Sequence, residues 1–337
     1  MNKIKIHFVC RGNVYRSRIA EIYVKSLGLK DIDVSSSGIE ASWYPKDFVA
    51  PWTQYAAQQN KLDISLSPIS HQTNEQTLAN SDIIVFVNTD VYEDALKAYK
   101  FNTAKSLIWK IPDRYTREKH HRSKTTHKPL TASQKRKVAI RKLKREVNRL
   151  IQDISRGGWV DIVDSNNEPL GFKLPISIAC DKGQWFRSCH AIITTPNKNI
   201  LVQKRSKAII IAPNLIDITL GGALAHNENS KQAILRETKE ELGIALDPDN
   251  LKILDTYKWN SYHPHYKKYS REFLDIYHVK INDNNPTIVL QRSEVAEVKS
   301  LNIKQVHRLV AMHRLKGLGR LNYAYAFYKH VLALTDI

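Results

Sequence analysis

The chain has 337 residues, of which 42% are apolar, and it carries a formal net charge of +19. This length allows two domains of ordinary size, and the apolar content excludes a disordered chain. The three cysteines, Cys10, Cys180 and Cys189, form no CxxC pair, which argues against a disulfide framework. We find no signal peptide and no run of about 18 apolar residues. We therefore expect a cytoplasmic protein with no membrane partner.

The positive charge is concentrated between Arg114 and Arg149, where only Glu118 and Glu146 are acidic. Such a charge fits anionic partners such as phosphates, nucleotides, RNA or acidic lipid surfaces. Two interpretations of segment 114–149 stay open. It is either a contact for nucleic acid or the ordinary solvated face of a helix and of the loop before it.

Strand-like and helix-like segments alternate through the first half of the chain. In chain order, the patterns predict a strand at Lys3–Val9 ending at Cys10, a helix at Ser17–Leu27 before Gly28, and strands at Ile32–Ser36 and Ser81–Val87. Strands separated by helices imply right-handed crossovers and an α/β fold with a doubly wound parallel sheet. The polar, His-rich segment Arg114–Pro129 predicts a mobile loop, and an amphipathic helix through Ile140–Ile154 closes this domain.

The second half has a different pattern. Two hairpins are predicted, one from Val160–Val163 and Leu170–Leu174 and one from His190–Thr195 and Ile200–Lys204. They precede a helix at Ser230–Leu242 that stops at Gly243, strands at Leu251–Tyr257 and Phe273–Ile281, and a closing helix near Ile303–Arg314. Mixed strands around one strongly patterned helix predict an α+β sandwich. Because Gly157-Gly158 marks a boundary, the predicted domains are residues 1–156 and 157–337.

A thiol and an arginine lie at the two ends of a short loop between a strand and a helix. Five residues separate Cys10 from Arg16, which allows the loop backbone to surround a tetrahedral oxyanion beside the helix N-terminus. The same dipoles would hold Cys10 as a reactive thiolate, while Arg16 grips two phosphate oxygens and Ser17 donates a hydrogen bond to sulfur. The phosphate-binding backbone would be that of Arg11, Gly12, Asn13, Val14 and Tyr15.

These residues resemble the low-molecular-weight protein tyrosine phosphatase family, whose loop has the pattern Cys-x-Gly-Asn-x-x-Arg-Ser. The resemblance covers roughly residues 3–155 and includes Ser35–Gly38 and Ile111-Pro112-Asp113, which is similar to the family's acid loop. It implies that Asp113 protonates the leaving oxygen and then activates water. Arg114 stands where the family usually has Pro, and Tyr15 stands where many members have a second cysteine. The alternative is that Cys10 is an inert buried thiol.

A second motif places several carboxylates on one predicted helix. Glu237 and Glu241 are four residues apart and share a face, with Glu240 beside them. Because like charges at this spacing repel, the cluster indicates a hard divalent cation, Mg²⁺ or Mn²⁺, which the carbonyl of Gly222 could help to hold. Arg236 would orient the carboxylates. The alternative is a solvated acidic helix with no metal.

The stretch from Gly222 to Ile244 matches the Nudix box, Gly-x5-Glu-x7-Arg-Glu-U-x-Glu-Glu-x-Gly-U, at every fixed position, and the likeness covers about residues 158–337. It implies metal-assisted attack of water on a nucleoside diphosphate linked to another moiety. In that interpretation Glu240 is catalytic as well as a metal ligand, and Arg236 and Glu228 are orienting residues. Segments 185–190 and 201–206 also resemble the isopentenyl-diphosphate-isomerase-like branch, but that isomerase's cysteine segment has no counterpart here, so isomerase activity is not expected.

Weaker candidates surround both motifs. Glu294 or Glu297 could supply a further ligand or the base. His263 and His265 could contact a base or ribose, or lie in a surface loop, and the same choice applies to His120 and His121 near Asp113. Cys180 and Cys189 are expected to be core thiols.

Three functional hypotheses follow from these motifs. In the first, the Nudix site produces a phosphomonoester that the thiol site then dephosphorylates. In the second, the thiol site acts on phosphotyrosine in proteins and the Nudix site works independently on a nucleotide diphosphate. In the third, the chain is an RNA-binding or ligand-sensing protein that binds phosphate without turnover.

Overall fold

The computed structural model describes residues 3–113, 131–156, 158–209, 213–217, 220–315 and 329–330. The chain divides into two compact units, Met1–Arg156 (unit 1) and Gly157–Ile337 (unit 2). The loop predicted for Arg114–Pro129, with His120 and His121, lies outside the described residues.

Unit 1 is an α/β unit with a parallel sheet. Its strands are β1 (Ile4–Cys10), β2 (Ile32–Gly38), β3 (Ile83–Phe86) and β4 (Ser106–Ile108). Its α-helices are α1 (Arg16–Ser26), α2 (Pro51–Gln59), α3 (Glu75–Ala79), α4 (Thr89–Ala98) and α5 (Ala132–Arg156), with short 3-10 helices at Ala41–Trp43, Ile64–Leu66 and Thr103–Lys105. This confirms the predicted α/β class.

The strand order of this sheet is β2-β1-β3-β4, with every neighbouring pair parallel. The chain moves to one side of β1 to form β2 and to the other side to form β3. The carboxyl ends of β1 and β3 therefore border a topological switch point, where open α/β sheets place their ligand sites. Cys10 is the last residue of β1 and lies at this point.

Buried apolar residues recur along α5 at helical spacing. They are Ala139, Ile140, Leu143, Val147, Leu150 and Ile154. This stripe is the predicted amphipathic face, and it buries apolar area that would otherwise face water. A hydrogen bond of 2.9 Å from the Tyr23 hydroxyl to Asn148 Oδ1 joins α5 to α1.

In the residues that the structure describes, unit 2 is built on a mixed sheet of nine strands. They are β5 (Trp159–Val163), β6 (Pro169–Pro175), β7 (Trp185–Thr194), β8 (Ile200–Arg205), β9 (Ile216–Asp217), β10 (Leu220–Ala223), β11 (Leu251–His263), β12 (Lys268–Lys280) and β13 (Val295–Leu301). The helices are α6 (Ile176–Lys182), α7 (Ser230–Leu242) and α8 (Ile303–Leu315), with a 3-10 helix at Pro248–Asn250.

The long strand β7 is the centre of this sheet. It pairs with β12 in parallel and with β5 and β10 in antiparallel fashion. The predicted β5–β6 hairpin is confirmed. The predicted second hairpin is formed only at its turn, where Thr194 pairs with Ile200, because β8 then leaves β7 to pair with β13.

Helix α7 has well-defined ends. Asn229 and Gln232 form a capping box at its start, and Gly243 takes a left-handed conformation at its end, with φ 72°. Ala233, Ile234 and Leu242 are fully buried in the core of unit 2, and Glu241 of the second motif is buried with them on the inner side of the helix. Across the part of the chain that the structure describes, no helix has the length and apolarity needed to span a membrane.

Candidate active sites

The Cys10 sulfur lies at the base of a tight loop. Cys10 is 2% exposed, and its Sγ accepts hydrogen bonds from the backbone N–H of Asn13 at 3.2 Å and the hydroxyl of Ser17 at 2.9 Å. Two hydrogen-bond donors are therefore directed at one sulfur. The predicted donation from Ser17 is thus present in the geometry.

Asn13 fixes the shape of the loop from below. Its φ is +50°, a left-handed conformation that Asn tolerates, and its amide nitrogen donates to Ser17 Oγ at 2.9 Å and Ser36 Oγ at 2.8 Å. Its amide oxygen accepts from the backbone of His71 at 2.8 Å. Asn13 is fully buried, with its side chain directed into the unit. It therefore supports the loop, and its N–H contacts the sulfur.

A close contact between two backbones explains why a glycine, Gly38, follows the serines of β2. A Cβ at this position would lie 2.5 Å from the backbone nitrogen of Asn13 and 2.7 Å from the carbonyl oxygen of Arg11. The backbone of β2 is therefore in direct contact with the backbone of the loop from Cys10 to Arg16, called the thiol loop below. Only glycine allows this approach without displacing the loop.

The side chain of Arg16 links the thiol loop to one residue that follows β3, Asn88, and to one that follows β4, Asp113. Its Nη2 lies 2.6 Å from Asp113 Oδ2, and its Nη1 donates to Asn88 Oδ1 at 2.5 Å. Arg16 is 5% exposed. The predicted general acid and the predicted phosphate-gripping arginine are thus brought together, although they are far apart in sequence.

A cavity of about 260 Å³ opens above the sulfur. It is lined by Cys10, Arg11, Gly12, Val14, Tyr15, Arg16, Glu40, Trp43, Tyr44, Trp52, Pro112, Asp113, Lys135, Arg136 and Ala139. Of the predicted loop residues, Asn13 alone is not in this lining. The side chain of Arg11 is tied to carboxylates, at 2.6 Å from Glu40 and 2.8 Å from Asp94.

The walls of this cavity were not predicted from the sequence. Trp43 ends the 3-10 helix after β2, Trp52 lies in the first turn of α2, and Lys135 and Arg136 come from the start of α5. The adjacent aromatics Trp43 and Tyr44 in a polar stretch were a usable signal. The basic pair had no comparable signal because the whole segment around it is basic.

In unit 2, Arg236 forms ion pairs with several carboxylates of the second motif. It makes a bidentate ion pair with Glu228 at 2.9 and 3.0 Å, and its Nη1 lies 2.9 Å from Glu237 and 3.0 Å from Glu240. Glu228 also accepts from the backbone of Ala225 at 2.8 Å. This arrangement fits the orienting roles expected for Arg236 and Glu228. Glu240 is half exposed.

Glu237 and Glu241 lie on the inner side of α7. Burial raises the pKa of Glu237 to about 7, against the opposing effect of Arg236, and raises the pKa of Glu241 to about 9, with Glu237 adding to the shift. Each carboxylate therefore lies where its charge is costly without a compensating cation. Glu294 acts on both carboxylates in the same direction, which places it near them.

Two observations fit a divalent cation beside these carboxylates. Glu241 Oε2 is buried and makes no hydrogen bond to any described residue. A Cβ at Gly222 would lie 2.2 Å from Glu237 Oε1, so the glycine lets the carboxylate lie directly against the backbone of β10. Within the described ranges, no three His, Cys, Asp or Glu side chains converge as a ready metal-binding group, and Glu237 is paired with Arg236. The choice of Mg²⁺ or Mn²⁺ stays a prediction.

The structure separates the weaker candidates. Glu297 lies in β13 and pairs with Lys299 at 3.3 Å, whereas Glu294 lies near the α7 carboxylates. His263 ends β11 and contacts Ser270 Oγ at 3.0 Å, and His265 lies in the following turn.

The cysteines Cys180 and Cys189 are buried in unit 2, as expected of core thiols. The basic side chains of α5 are largely exposed, and a nucleic-acid contact through segment 114–149 stays a prediction.

Two family models match the chain. The model described as low molecular weight phosphotyrosine protein phosphatase matches residues 5–158. The model described as NUDIX domain matches residues 186–318. The two matches follow the two units and contain the two sites.

Individual relatives match the second half. An uncharacterized Nudix hydrolase of Listeria innocua, lin0387, is 29% identical over 120 residues, covering 36% of this chain and 65% of that protein. The uncharacterized Nudix hydrolase YfcD of Escherichia coli K12 is 32% identical over 89 residues, covering 26% of this chain and 48% of that protein. The chain thus spans about half to two thirds of the length of these two curated relatives.

Solved structures are also similar to parts of the chain. Wzb of Vibrio vulnificus in complex with benzylphosphonate has a TM-score of 0.37 and 19% identity, covering 45% of this chain and 99% of that chain. DR0079 from Deinococcus radiodurans has a TM-score of 0.36 and 19% identity, covering 46% and 89%. Taken on the family models, the chain joins a domain of the low molecular weight phosphotyrosine protein phosphatase family to a NUDIX domain, and both are families of enzymes.

Proposed function

We propose that the chain is a bifunctional phosphate-ester hydrolase, with a thiol-dependent phosphomonoesterase in unit 1 and, in unit 2, a metal-dependent pyrophosphohydrolase of nucleoside diphosphates linked to another moiety. The observation that carries the first half is the sulfur of Cys10 beneath an open cavity, with donors from Asn13 and Ser17 and with the Arg16–Asp113 pair beside it.

The chemistry of the thiol site follows from these positions. The Cys10 thiolate attacks phosphorus, and a P–S bond forms as the bond to the leaving oxygen breaks. Asp113 gives its proton to that oxygen, and Arg16 holds the non-bridging oxygens. Water then attacks the cysteinyl phosphate, Asp113 takes its proton, and the thiolate leaves with its Ser17 hydrogen bond. Inorganic phosphate is the second product.

In unit 2, the residues that would hold a divalent cation are Glu237, Glu241 and the carbonyl of Gly222, with Glu240 at the exposed edge. Bound there, the cation would offset charge on the diphosphate and on the two buried carboxylates. The ion pair between Arg236 and Glu228 would hold the carboxylates of α7 in their orientation. Glu294 is the nearby residue suited to a further ligand or to the general base.

A substrate panel with Mg²⁺ or Mn²⁺ tests this proposal. We expect wild type to hydrolyse both aryl phosphates and nucleoside-diphosphate sugars. Cys10→Ser should abolish only the first activity, and Glu241→Gln only the second. Loss of both activities in a folded single variant, or retention of aryl phosphate hydrolysis by Cys10→Ser, would contradict the assignment of two separate sites.

A second candidate is sequential action, in which the Nudix site cleaves a nucleoside diphosphate conjugate and the thiol site consumes the phosphomonoesters that result. Sequential action predicts that wild type releases inorganic phosphate from a nucleotide sugar and that Cys10→Ser stops at the monophosphates. If Cys10→Ser releases phosphate at the wild-type rate, the activities are independent.

A further inference from the structure

The cavity above Cys10 has two chemically different walls. One wall is aromatic and is formed by Trp43, Tyr44 and Trp52. The other is basic and is formed by Lys135 and Arg136, which lie in the first turns of α5. A substrate held by the thiol loop must therefore extend between flat apolar rings and two positive charges.

The aromatic wall is open to a ligand. Trp43 is 75% exposed, although burial of so large a ring is ordinarily favourable. Tyr44 stacks on Phe48 with ring centroids 5.7 Å apart, and its ring closes over Gly12, where a Cβ would lie 2.7 Å from it. Tyr44 is thus held beside the loop, and the exposed ring of Trp43 leaves apolar surface available to the group that bears the phosphate.

The basic wall is the part of the cavity whose charge is not already engaged. The other two cations of the lining are paired, Arg11 with Glu40 and Arg16 with Asp113, each at 2.6 Å. Lys135 and Arg136 make no ion pair with a carboxylate of the described residues. The backbone carbonyl of Arg136 accepts from the Tyr15 hydroxyl at 3.3 Å, which ties this turn of α5 to the thiol loop.

We propose that the thiol site selects aryl phosphates that carry a second anionic group. The phosphate binds the loop, the phosphorylated ring packs on the aromatic wall, and the second anion binds Lys135 and Arg136. This inference rests on the proposed phosphomonoesterase function and narrows its substrate class. Attraction between these charges adds to binding and is screened by salt.

The experiment compares two small probes of similar shape, 4-carboxyphenyl phosphate and 4-carbamoylphenyl phosphate. We expect wild type at low ionic strength to prefer the carboxylate, as a ratio of kcat/KM, by about tenfold, since two partly exposed ion pairs supply an effect of this size. The preference should fall toward one at about 0.5 M salt. A phosphotyrosine peptide with flanking Glu, against one with Gln, tells whether the second anion can come from a protein.

Matched charge variants on one helix make the test specific. Lys135→Gln with Arg136→Gln should bring the probe ratio to about one. Lys137→Gln with Arg141→Gln removes the same charge from exposed positions outside the cavity, and should keep the wild-type ratio. Circular dichroism spectra establish that both double variants fold.

The outcomes separate two kinds of failure. A wild-type ratio near one, or a ratio that the Lys135/Arg136 variant shares with wild type, overturns the selection of a second anion while aryl phosphate turnover stands. Equal loss of the ratio in both double variants also overturns it, because the effect would then belong to net charge. No turnover of either probe by wild type refutes the proposed phosphomonoesterase, and the selection with it.

Discussion

The guanidinium of Arg16 holds the carboxylate of Asp113 at 2.6 Å, across 97 positions of sequence. Arg16 begins α1 directly after the thiol loop, and Asp113 follows β4. The contact brings the segment that follows β4 to the cavity that contains Cys10. The residue proposed to grip phosphate and the residue proposed to exchange a proton with the leaving oxygen therefore share one edge of the sheet.

Asp113→Asn should lower the rate according to the leaving group. An amide cannot supply the proton, so phenyl phosphate, with its basic leaving oxygen, should lose about 100-fold or more in kcat. Para-nitrophenyl phosphate, whose leaving oxygen needs little protonation, should lose much less. Steady-state kinetics with both esters checks this. An equal loss on the two esters would mean that Asp113 only positions Arg16.

Ser17→Ala should slow turnover by removing one of the two donors to the Cys10 sulfur. A hydrogen bond to a charged acceptor is worth about 1.5–3 kcal/mol, so we expect kcat to fall by about 10- to 100-fold. Alkylation of Cys10 by iodoacetamide at neutral pH should slow as well. Ser26→Ala, at the exposed end of the same helix, is the matched control and should behave as wild type. If alkylation of Ser17→Ala proceeds at the wild-type rate, the hydroxyl does not stabilise the thiolate.

Local patterns predicted the elements that carry the sites. The helix predicted at Ser230–Leu242 has the bounds found in α7, since its capping residues and the glycine at its end act within a few positions. The thiol loop was predictable for the same reason. By contrast, β11 and β12 extend to His263 and start from Lys268, well beyond the predicted strands, because their outer halves are polar and stabilised by pairing with each other.

Long-range relationships were outside the reach of the sequence. The parallel pairing of β12 with β7 joins residues 86 positions apart, and no local pattern selects it. The same holds for the cavity walls. Trp43 and Lys135 are far apart in sequence, and they line one cavity only because the fold brings their elements together. Periodicity fixes which face of an element is buried, but the partner of that face depends on the whole fold.

Gly222→Ala should weaken the Nudix site without altering the chemistry of any carboxylate. The added Cβ would lie 2.2 Å from Glu237 Oε1 and 2.5 Å from its Cδ, so Glu237 must move. We expect a loss of about 10-fold or more in metal-dependent hydrolysis, and a smaller rise in Tm on adding Mg²⁺ or Mn²⁺.

Gly158→Ala is the control for that substitution, because a Cβ at Gly158 meets nothing within 4 Å. It should keep both the activity and the metal-induced rise in Tm. If Gly222→Ala retains the same metal response, Glu237 does not need its place against β10, and the expected ligand set is wrong.

The buried histidine beneath the thiol loop should make unit 1 sensitive to acid. His7 is 1% exposed, and its ring nitrogens contact Ser35 Oγ and Ser37 Oγ at 2.7 Å each. Burial lowers the pKa of His7 to about 4, with His71 acting in the same direction. The folded state therefore keeps His7 neutral at pH values where the unfolded chain, with a pKa near 6.5, binds a proton.

The sign of the effect follows from this difference. The stabilisation by neutral His7 is complete above about pH 6.5, declines as the pH falls, and is fully lost near pH 4, for a total of about 3 kcal/mol. His7→Asn, which cannot titrate, should be less stable than wild type at pH 7.5, and the gap in free energy of unfolding should narrow toward pH 4.5. Urea unfolding of both proteins across this range measures the gap. A constant gap would show that His7 takes up its proton equally in the folded and unfolded states.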